Sequence, residues 1–247
     1  MAKQRIGGRV VYIRKNGTFK GQTPTPTPAP TTISVGNAVL NATAFDDTDA
    51  QALVDDMDDI YTEPDFVAAR KMYIANNNPN GDGFSVAQNL NYKLDNGLAL
   101  DSTEKYVNDN IQSGMHSIGK DSNLVRYAHD DILKSLGVAD YTKMNDAQLQ
   151  KALVGTTFKT TSYMSTSYDA KKSPFAPNQP GGGGREVIIN IKAGKNTKMI
   201  FGASKQAEVV LNKGTDFKVT GIHYDGSYAT PRNKGTRPRV VLDIETI

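Results

Sequence analysis

Six short runs of strand character crowd the C-terminal part of the chain: FKTTSYMSTS, EVIINIKAG, TKMIF, EVVLNKG, DFKVTGIHY and RPRVVLDIE. β-Branched and aromatic residues dominate them, and residues that favour turns fall between them. Upstream the texture is helical. A helix-rich block followed by many short strands predicts an α+β domain, with a mixed or antiparallel β-core and a helical lobe on its N-terminal side.

The helical block carries apolar residues at helical spacing. DAQALVDDMDDIY puts Leu53, Val54, Met57, Ile60 and Tyr61 on one face, with aspartates opposite. PDFVAARKMYIA continues as helix, with Pro64 suited to its first turn. STEKYVNDNIQSGMHSI opens with Ser102 in a capping-box-like position and aligns Val107, Ile111, Met115 and Ile118. Between these, NNNPNGDG (76–83) has calcium-loop spacing, but the closing position holds Ala87 where a bidentate glutamate is needed, so it reads as a turn. The texture changes near residue 123. NLVRYA is strand-like, HDDILKSLG is a short helix ending at Gly137, and NDAQLQKALVG is a helix capped by Asn145 and stopped by Gly155.

The N-terminal residues stand apart. Lys3, Arg5, Arg9, Arg14, Lys15 and Lys20 occur with no acid among them, and RVVYIRKNGTFKG reads as a strand, an Asn-Gly turn and a second strand. TPTPTPAPTT (23–32) follows, and alternating Thr-Pro supports neither a helix nor a ladder strand. The expected organisation is a basic arm (1–22), a Thr/Pro linker (23–33) and one domain over 34–247, helical to about 122 and β-rich over 123–247. Such an arm is expected to stay solvated or to dock onto a partner.

Composition removes several kinds of chemistry. There are no cysteines, so disulfides, thiolate metal sites and a cysteine nucleophile are excluded. His116, His129 and His223 lack ligand spacing, and no metal is expected. GGGG (181–184) is not followed by Lys-Ser or Lys-Thr, so it reads as a hinge after SPFAPNQP, not as a phosphate loop. A net charge of +3 is too small to imply nucleic-acid binding by itself. MAKQRIGGRVVYIRKNG lacks the apolar segment of a signal peptide, and no apolar run approaches membrane-spanning length, so a soluble protein is expected.

Three features remain, in chain order: Arg126 on a strand, Ser165-Thr166-Ser167 ending another, and Gln206 and Glu208 opening a third. With their flanks, LVGTTFKTTSYMSTS and FGASKQAEVVLNKGTDFKV, they resemble the Arg-Ser-Glu class of mono-ADP-ribosyltransferases, the clostridial C3-like and binary-toxin families. The resemblance covers residues 40–247, with its motifs from 123 onward. It implies the ADP-ribosyltransferase fold, a split mixed or antiparallel β-core with an N-terminal helical lobe. It also implies NAD as substrate and action in the cytoplasm, either native or of a cell into which the protein is delivered.

The residue types suit that chemistry. Breaking the bond between nicotinamide and ribose passes through an oxocarbenium-like transition state, which a preorganised carboxylate stabilises. The resemblance assigns that role to Glu208 and makes Ser165 the hydroxyl that holds it, while Thr166 and Ser167 help to wall the nicotinamide pocket. Arg126 is implied to grip the pyrophosphate through charge-assisted, forked hydrogen bonds, with Arg185 adding a phosphate contact. Gln206, two residues before Glu208, projects to the same side of an extended strand and is implied to contact the acceptor. Glutamine there goes with Asn or Gln acceptors, or with guanine. Phe201 is implied to be a loop aromatic that recognises the protein target, and 173–184 the loop that closes over phosphate and nicotinamide. Tyr127 departs from the pattern, since many relatives have glycine there. The expected function is NAD-dependent mono-ADP-ribosylation of a protein side chain. The alternatives are NAD glycohydrolysis, guanine-directed transfer to a nucleic acid, and a non-enzymatic docking component of a phage or secreted particle, to which the arm would attach.

Overall fold

The computed structural model describes residues 2–6, 9–13, 31–35, 38–42, 62–75, 84–173, 186–203, 206–229 and 236–247, with the first four stretches and residues 226–229 and 236–237 as backbone only. Two antiparallel hairpins come first: β1 (Ala2–Ile6) with β2 (Arg9–Ile13), and β3 (Thr31–Val35) with β4 (Ala38–Ala42). The arm's RVVYI run is thus a strand, but its partner lies upstream of Gly7-Gly8, whereas the sequence pattern joins it to residues beyond Asn16-Gly17. The second hairpin begins within the stretch read as linker. The expected helix around Leu53–Tyr61 and the turn at 76–83 lie outside the described residues.

In the helical lobe, α1 (Pro64–Ile74) buries Phe66, Ala69 and Tyr73, the stripe that helical periodicity sets inward. Helix α2 (Val86–Asp95), absent from the sequence reading, starts from a complete capping box: Ser85 Oγ accepts from Gln88 N at 3.3 Å and Gln88 Oε1 accepts from Ser85 N at 2.8 Å. Helix α3 (Ser102–Ser113) is capped by Asp101 rather than Ser102, because the reciprocal partner is Glu104, whose Oε2 accepts from Asp101 N at 2.8 Å. Lys93 of α2 closes on the same carboxylate at 2.6 Å. Helix α3 stops at Gly114, where a Cβ would stand 2.2 Å from the Phe66 ring. Met115 and Ile118 therefore leave the helix, and Ile118 enters the β-core.

The β-core is one nine-stranded sheet. Its strands are β5 (His116–Ser117), β6 (Ser122–Ala128), β7 (Thr157–Lys159), β8 (Met164–Ser167), β9 (Val187–Ala193), β10 (Lys198–Phe201), β11 (Glu208–Leu211), β12 (Asp216–Ala229) and β13 (Thr236–Thr246). Across the sheet the order is β5-β10-β11-β8-β6-β9-β13-β12-β7, parallel only between β9 and β13. The run FKTTSYMSTS is divided: β7 pairs with β12 at one edge, while β8 sits mid-sheet between β11 and β6. Helices α4 (Asp131–Ser135) and α5 (Asp146–Leu153) end before Gly137 and Gly155, whose φ values of 87° and 90° favour glycine.

Two apolar clusters flank the sheet. Leu133, Tyr141, Leu149 and Leu153 pack with Leu124, Ile189, Leu242 and Phe217 in one. Phe66, Tyr73, Leu90, Val107 and Ile111 of the helical lobe meet Ile200, Val210 and Tyr163 in the other. Between β6 and β8 the ladder shrinks to one residue pair, Val125 with Ser167, so the sheet is split there. This is the expected α+β architecture: a split, mixed sheet carrying an N-terminal helical lobe. Among the described residues, no helix is long and apolar enough to cross a membrane.

Candidate active site

The split in the sheet is where the motif residues gather. Glu208 is the first residue of β11 and lies opposite Ser167 of β8, with Val210 opposite Ser165. Strand alternation therefore puts Glu208, Ser165 and Ser167 on one face, the one covered by the helical lobe through Val210. Arg126 follows Val125 at the joint and reaches over it, Nη1 donating to Ser165 O at 2.6 Å. Where the ladder gives out, a guanidinium links the two halves.

The Glu208 carboxylate is held by backbone. Its Oε2 accepts from Ala203 N at 2.8 Å, and the main chain closes the same turn, with Gly202 N donating to Glu208 O at 2.9 Å. Gly202 is required by this packing, since a Cβ there would stand 2.1 Å from Glu208 Oε2. Ser165, expected to orient this acid, is hydrogen-bonded through its side chain to Tyr73 of α1. Asn91 of α2 donates to the same phenol at 3.1 Å and accepts from Tyr163 N at 3.3 Å. Burial pushes the Tyr73 phenol up to about 12; the Glu208 charge adds to this, and the bonds from Asn91 and Ser165 and the Arg126 charge oppose it. Tyr73, Ser165, Glu208 and Arg126 are thus near neighbours.

The remaining hydroxyls of the Ser-Thr-Ser run serve the scaffold. Thr166 Oγ1 donates to Val209 O at 2.7 Å, on the buried face. Ser167 Oγ lies 2.7 Å from Asp169 O and 2.9 Å from Gln206 O, tying the end of β8 to the turn that precedes Glu208. Gln206 sits in that turn and not on a strand: its N donates to Ala203 O at 3.0 Å, and Ala207 takes φ 46°, a left-handed conformation costly for a residue with a Cβ. Strand parity therefore does not orient Gln206, whose side chain is half-exposed. Phe201 ends β10 inside the core at 5% exposure, with Tyr168 edge-on to its ring at 6.4 Å. A ring so buried offers no surface to an acceptor, which corrects its reading as a loop aromatic. Arg185 and 174–184 lie outside the described residues.

Sequence reasoning missed Tyr73, Asn91, Arg70 and Gly202. Asn91 could have been reached through the Ser85-x-x-Gln88 signature that starts its helix. Tyr73 was visible only as one member of an apolar stripe, since nothing local marks a phenol that faces a site. Arg70, on the same helix, donates from Nε to Phe201 O and from Nη2 to Gly202 O, each at 2.6 Å. Among the described residues, no group of three or more His, Cys, Asp or Glu side chains could hold a metal ion.

This fold has known counterparts. The chain resembles in structure Plx2a, an ADP-ribosyltransferase toxin from Paenibacillus larvae, with a TM-score of 0.59 at 15% identity over 80% of this chain and 92% of that one. It is similar to the Clostridium limosum C3 exoenzyme, with a TM-score of 0.55 at 17% identity over 82% and 95% of the two chains. A third counterpart is C3stau2 from S. aureus, solved with NAD, with a TM-score of 0.51 at 16% identity over 82% and 96%. At such identities these likenesses establish the fold. No curated protein matches the sequence. The family model for the ADP-ribosyltransferase exoenzyme matches residues 82–245, which take in α2, α3 and every strand that holds Arg126, Ser165 and Glu208. By that match this chain belongs to the ADP-ribosyltransferase exoenzyme family, NAD-dependent enzymes that transfer ADP-ribose.

Proposed function

We propose that the chain transfers ADP-ribose from NAD to an Asn or Gln side chain of a protein, with Glu208 as the catalytic carboxylate. The observation that carries this reading is the fixed position of that carboxylate. Ala203 N–H holds it beside the joint in space that the absent Cβ of Gly202 leaves open, on the sheet face it shares with Ser165 and close enough to Tyr73 for its charge to act on the phenol. A carboxylate held in this way stabilises positive charge growing on the ribose without reorganising as the glycosidic bond lengthens. Arg126 supplies a guanidinium for the pyrophosphate, and Arg185 is proposed to add to it. Ser165 and Tyr73 line the wall against which nicotinamide rests.

Gln206 is proposed to orient the acceptor. The turn that leads into Glu208 leaves the Gln206 side chain half-exposed two residues from the carboxylate, and an amide pairs with another amide, whereas it gives a guanidinium no counter-charge. Water needs no such orientation, so transfer and hydrolysis should separate in Gln206→Ala. The test follows free ADP-ribose, protein labelling in a host lysate, and agmatine consumption in the wild type and this variant. Loss of labelling with hydrolysis retained supports the amide acceptor. Efficient use of agmatine by the wild type, or equal loss of both activities in the variant, overturns it. Labelling of guanine in added DNA would replace it with a nucleic-acid acceptor.

A further inference from the structure

Helix α1 buries Phe66, Ala69 and Tyr73, and Arg70 lies within the same stripe. An arginine on the inward face of a helix costs desolvation unless its donors are used. Here they are used on two successive carbonyls of another element, Nε on Phe201 O and Nη2 on Gly202 O, both at 2.6 Å. The planar fork fits that pair as a flexible ammonium cannot.

The second of these bonds reaches the active site. Gly202 C=O and Ala203 N–H belong to one peptide group, and that N–H is the donor to Glu208 Oε2 at 2.8 Å. Charge and dipole line up in series: the guanidinium on the carbonyl end, the carboxylate on the amide end. A peptide polarised by a cation at its oxygen is a stronger donor at its nitrogen, and hydrogen bonds in such a chain reinforce each other. The fork also fixes the plane of this peptide, and so the direction from which Ala203 N–H meets the carboxylate. Beside it, Gly202 leaves open the space that the carboxylate fills, since a Cβ there would stand 2.1 Å from Oε2.

We propose that Arg70 is a positioning residue for Glu208, acting through the Gly202–Ala203 peptide group. This role rests on the reading of Glu208 as the catalytic carboxylate. It differs from a plain tie between helix and sheet, because a tie sets stability while a positioning contact sets the rate of bond cleavage at bound NAD.

The test is steady-state nicotinamide release from NAD by the full chain, with folding followed by circular dichroism. Arg70→Met keeps the apolar stem and removes the fork; kcat is expected to fall about tenfold with KM for NAD within about twofold. Adding Arg70→Met to Gly202→Ala is expected to cost little more than Gly202→Ala alone, since both displace the same carboxylate. Unchanged kcat, a loss confined to KM, or fully additive losses would overturn the role of Arg70. If Arg70→Met does not fold, Arg70→Lys decides: it keeps the charge without the fork, so kcat should still fall with KM held, and an unchanged kcat counts against the proposal. A wild type that releases no nicotinamide overturns the reading of Glu208, and this role with it. An active wild type matched by the variant overturns only the role.

Discussion

Gly202 and Glu208 fit so closely that a methyl group on Gly202 would lie 2.1 Å from the carboxylate oxygen and 2.4 Å from its carbon. The acid is shaped by a missing side chain. Gly202→Ala should therefore push Glu208 out of place and lower NAD turnover about a hundredfold, the scale for one preorganised electrostatic group. Calorimetry should show NAD affinity little changed. Normal turnover in this variant would mean that the carboxylate position is immaterial.

Glu208→Gln keeps size and hydrogen-bonding capacity while removing the charge. The fold and NAD binding should survive, and nicotinamide release should fall at least about a hundredfold. Near-normal transfer would sink the assignment of the catalytic acid.

Arg126→Ala has two expected effects, because the same guanidinium is proposed for pyrophosphate and already bonds Ser165 O. NAD affinity should weaken by about 1.5–3 kcal/mol, the cost of a lost charged hydrogen bond. The melting temperature should drop as well, since the joint between β6 and β8 loses a strut. Unchanged affinity by calorimetry would return Arg126 to a purely structural role.

Stability should depend on alkaline pH through the buried phenols. The Tyr73 phenol stands at about 12 in the folded chain against 10.0 when free, and Tyr127 is likewise pushed up to about 12 by burial. A raised value means that the folded state holds the proton more tightly. Its contribution is complete below the free value and is lost as pH rises from there toward the folded one. Urea midpoints should fall across that window, and Tyr73→Phe should make the fall shallower. An identical pH profile in the variant would contradict this.

The arm offers the simplest test. Deleting residues 1–22 should leave melting temperature and NAD cleavage nearly unchanged, because β1 and β2 pair with each other and not with the nine-stranded sheet. A large loss of stability would show that the arm belongs to the main domain.

The sequence revealed elements whose signals are local, and lost those set by distant partners. Asn145 and Gly155 bound α5 because a cap and a left-handed terminus are written within a few residues. The strands from β9 to β13 were legible from their apolar runs. Gln206 was misjudged because the backbone turns at Ala207, and nothing in Gln-Ala-Glu announces a positive φ. Phe201 already ends the strand run TKMIF; only the resemblance makes it a loop aromatic, and its pairing with Val209 and its burial follow the local signal instead. Tyr73 and Arg70 escaped notice for a deeper reason. They come from a helix more than ninety residues before Ser165, and only tertiary packing aims them at Ser165 and Gly202.

The single rung between Val125 and Ser167 also bears on how such a protein can change over generations. Each half of the sheet closes its own ladder, so a substitution that shifts strand pairing in one half leaves the other's register intact, even though one apolar cluster runs under both. Gln206 and the turn proposed to recognise an acceptor lie on the β10–β11 side with Glu208 and Ser165, and the strand bearing Arg126 lies on the other. A lineage can therefore vary the turn before Glu208 without disturbing the strand pairing that positions Arg126.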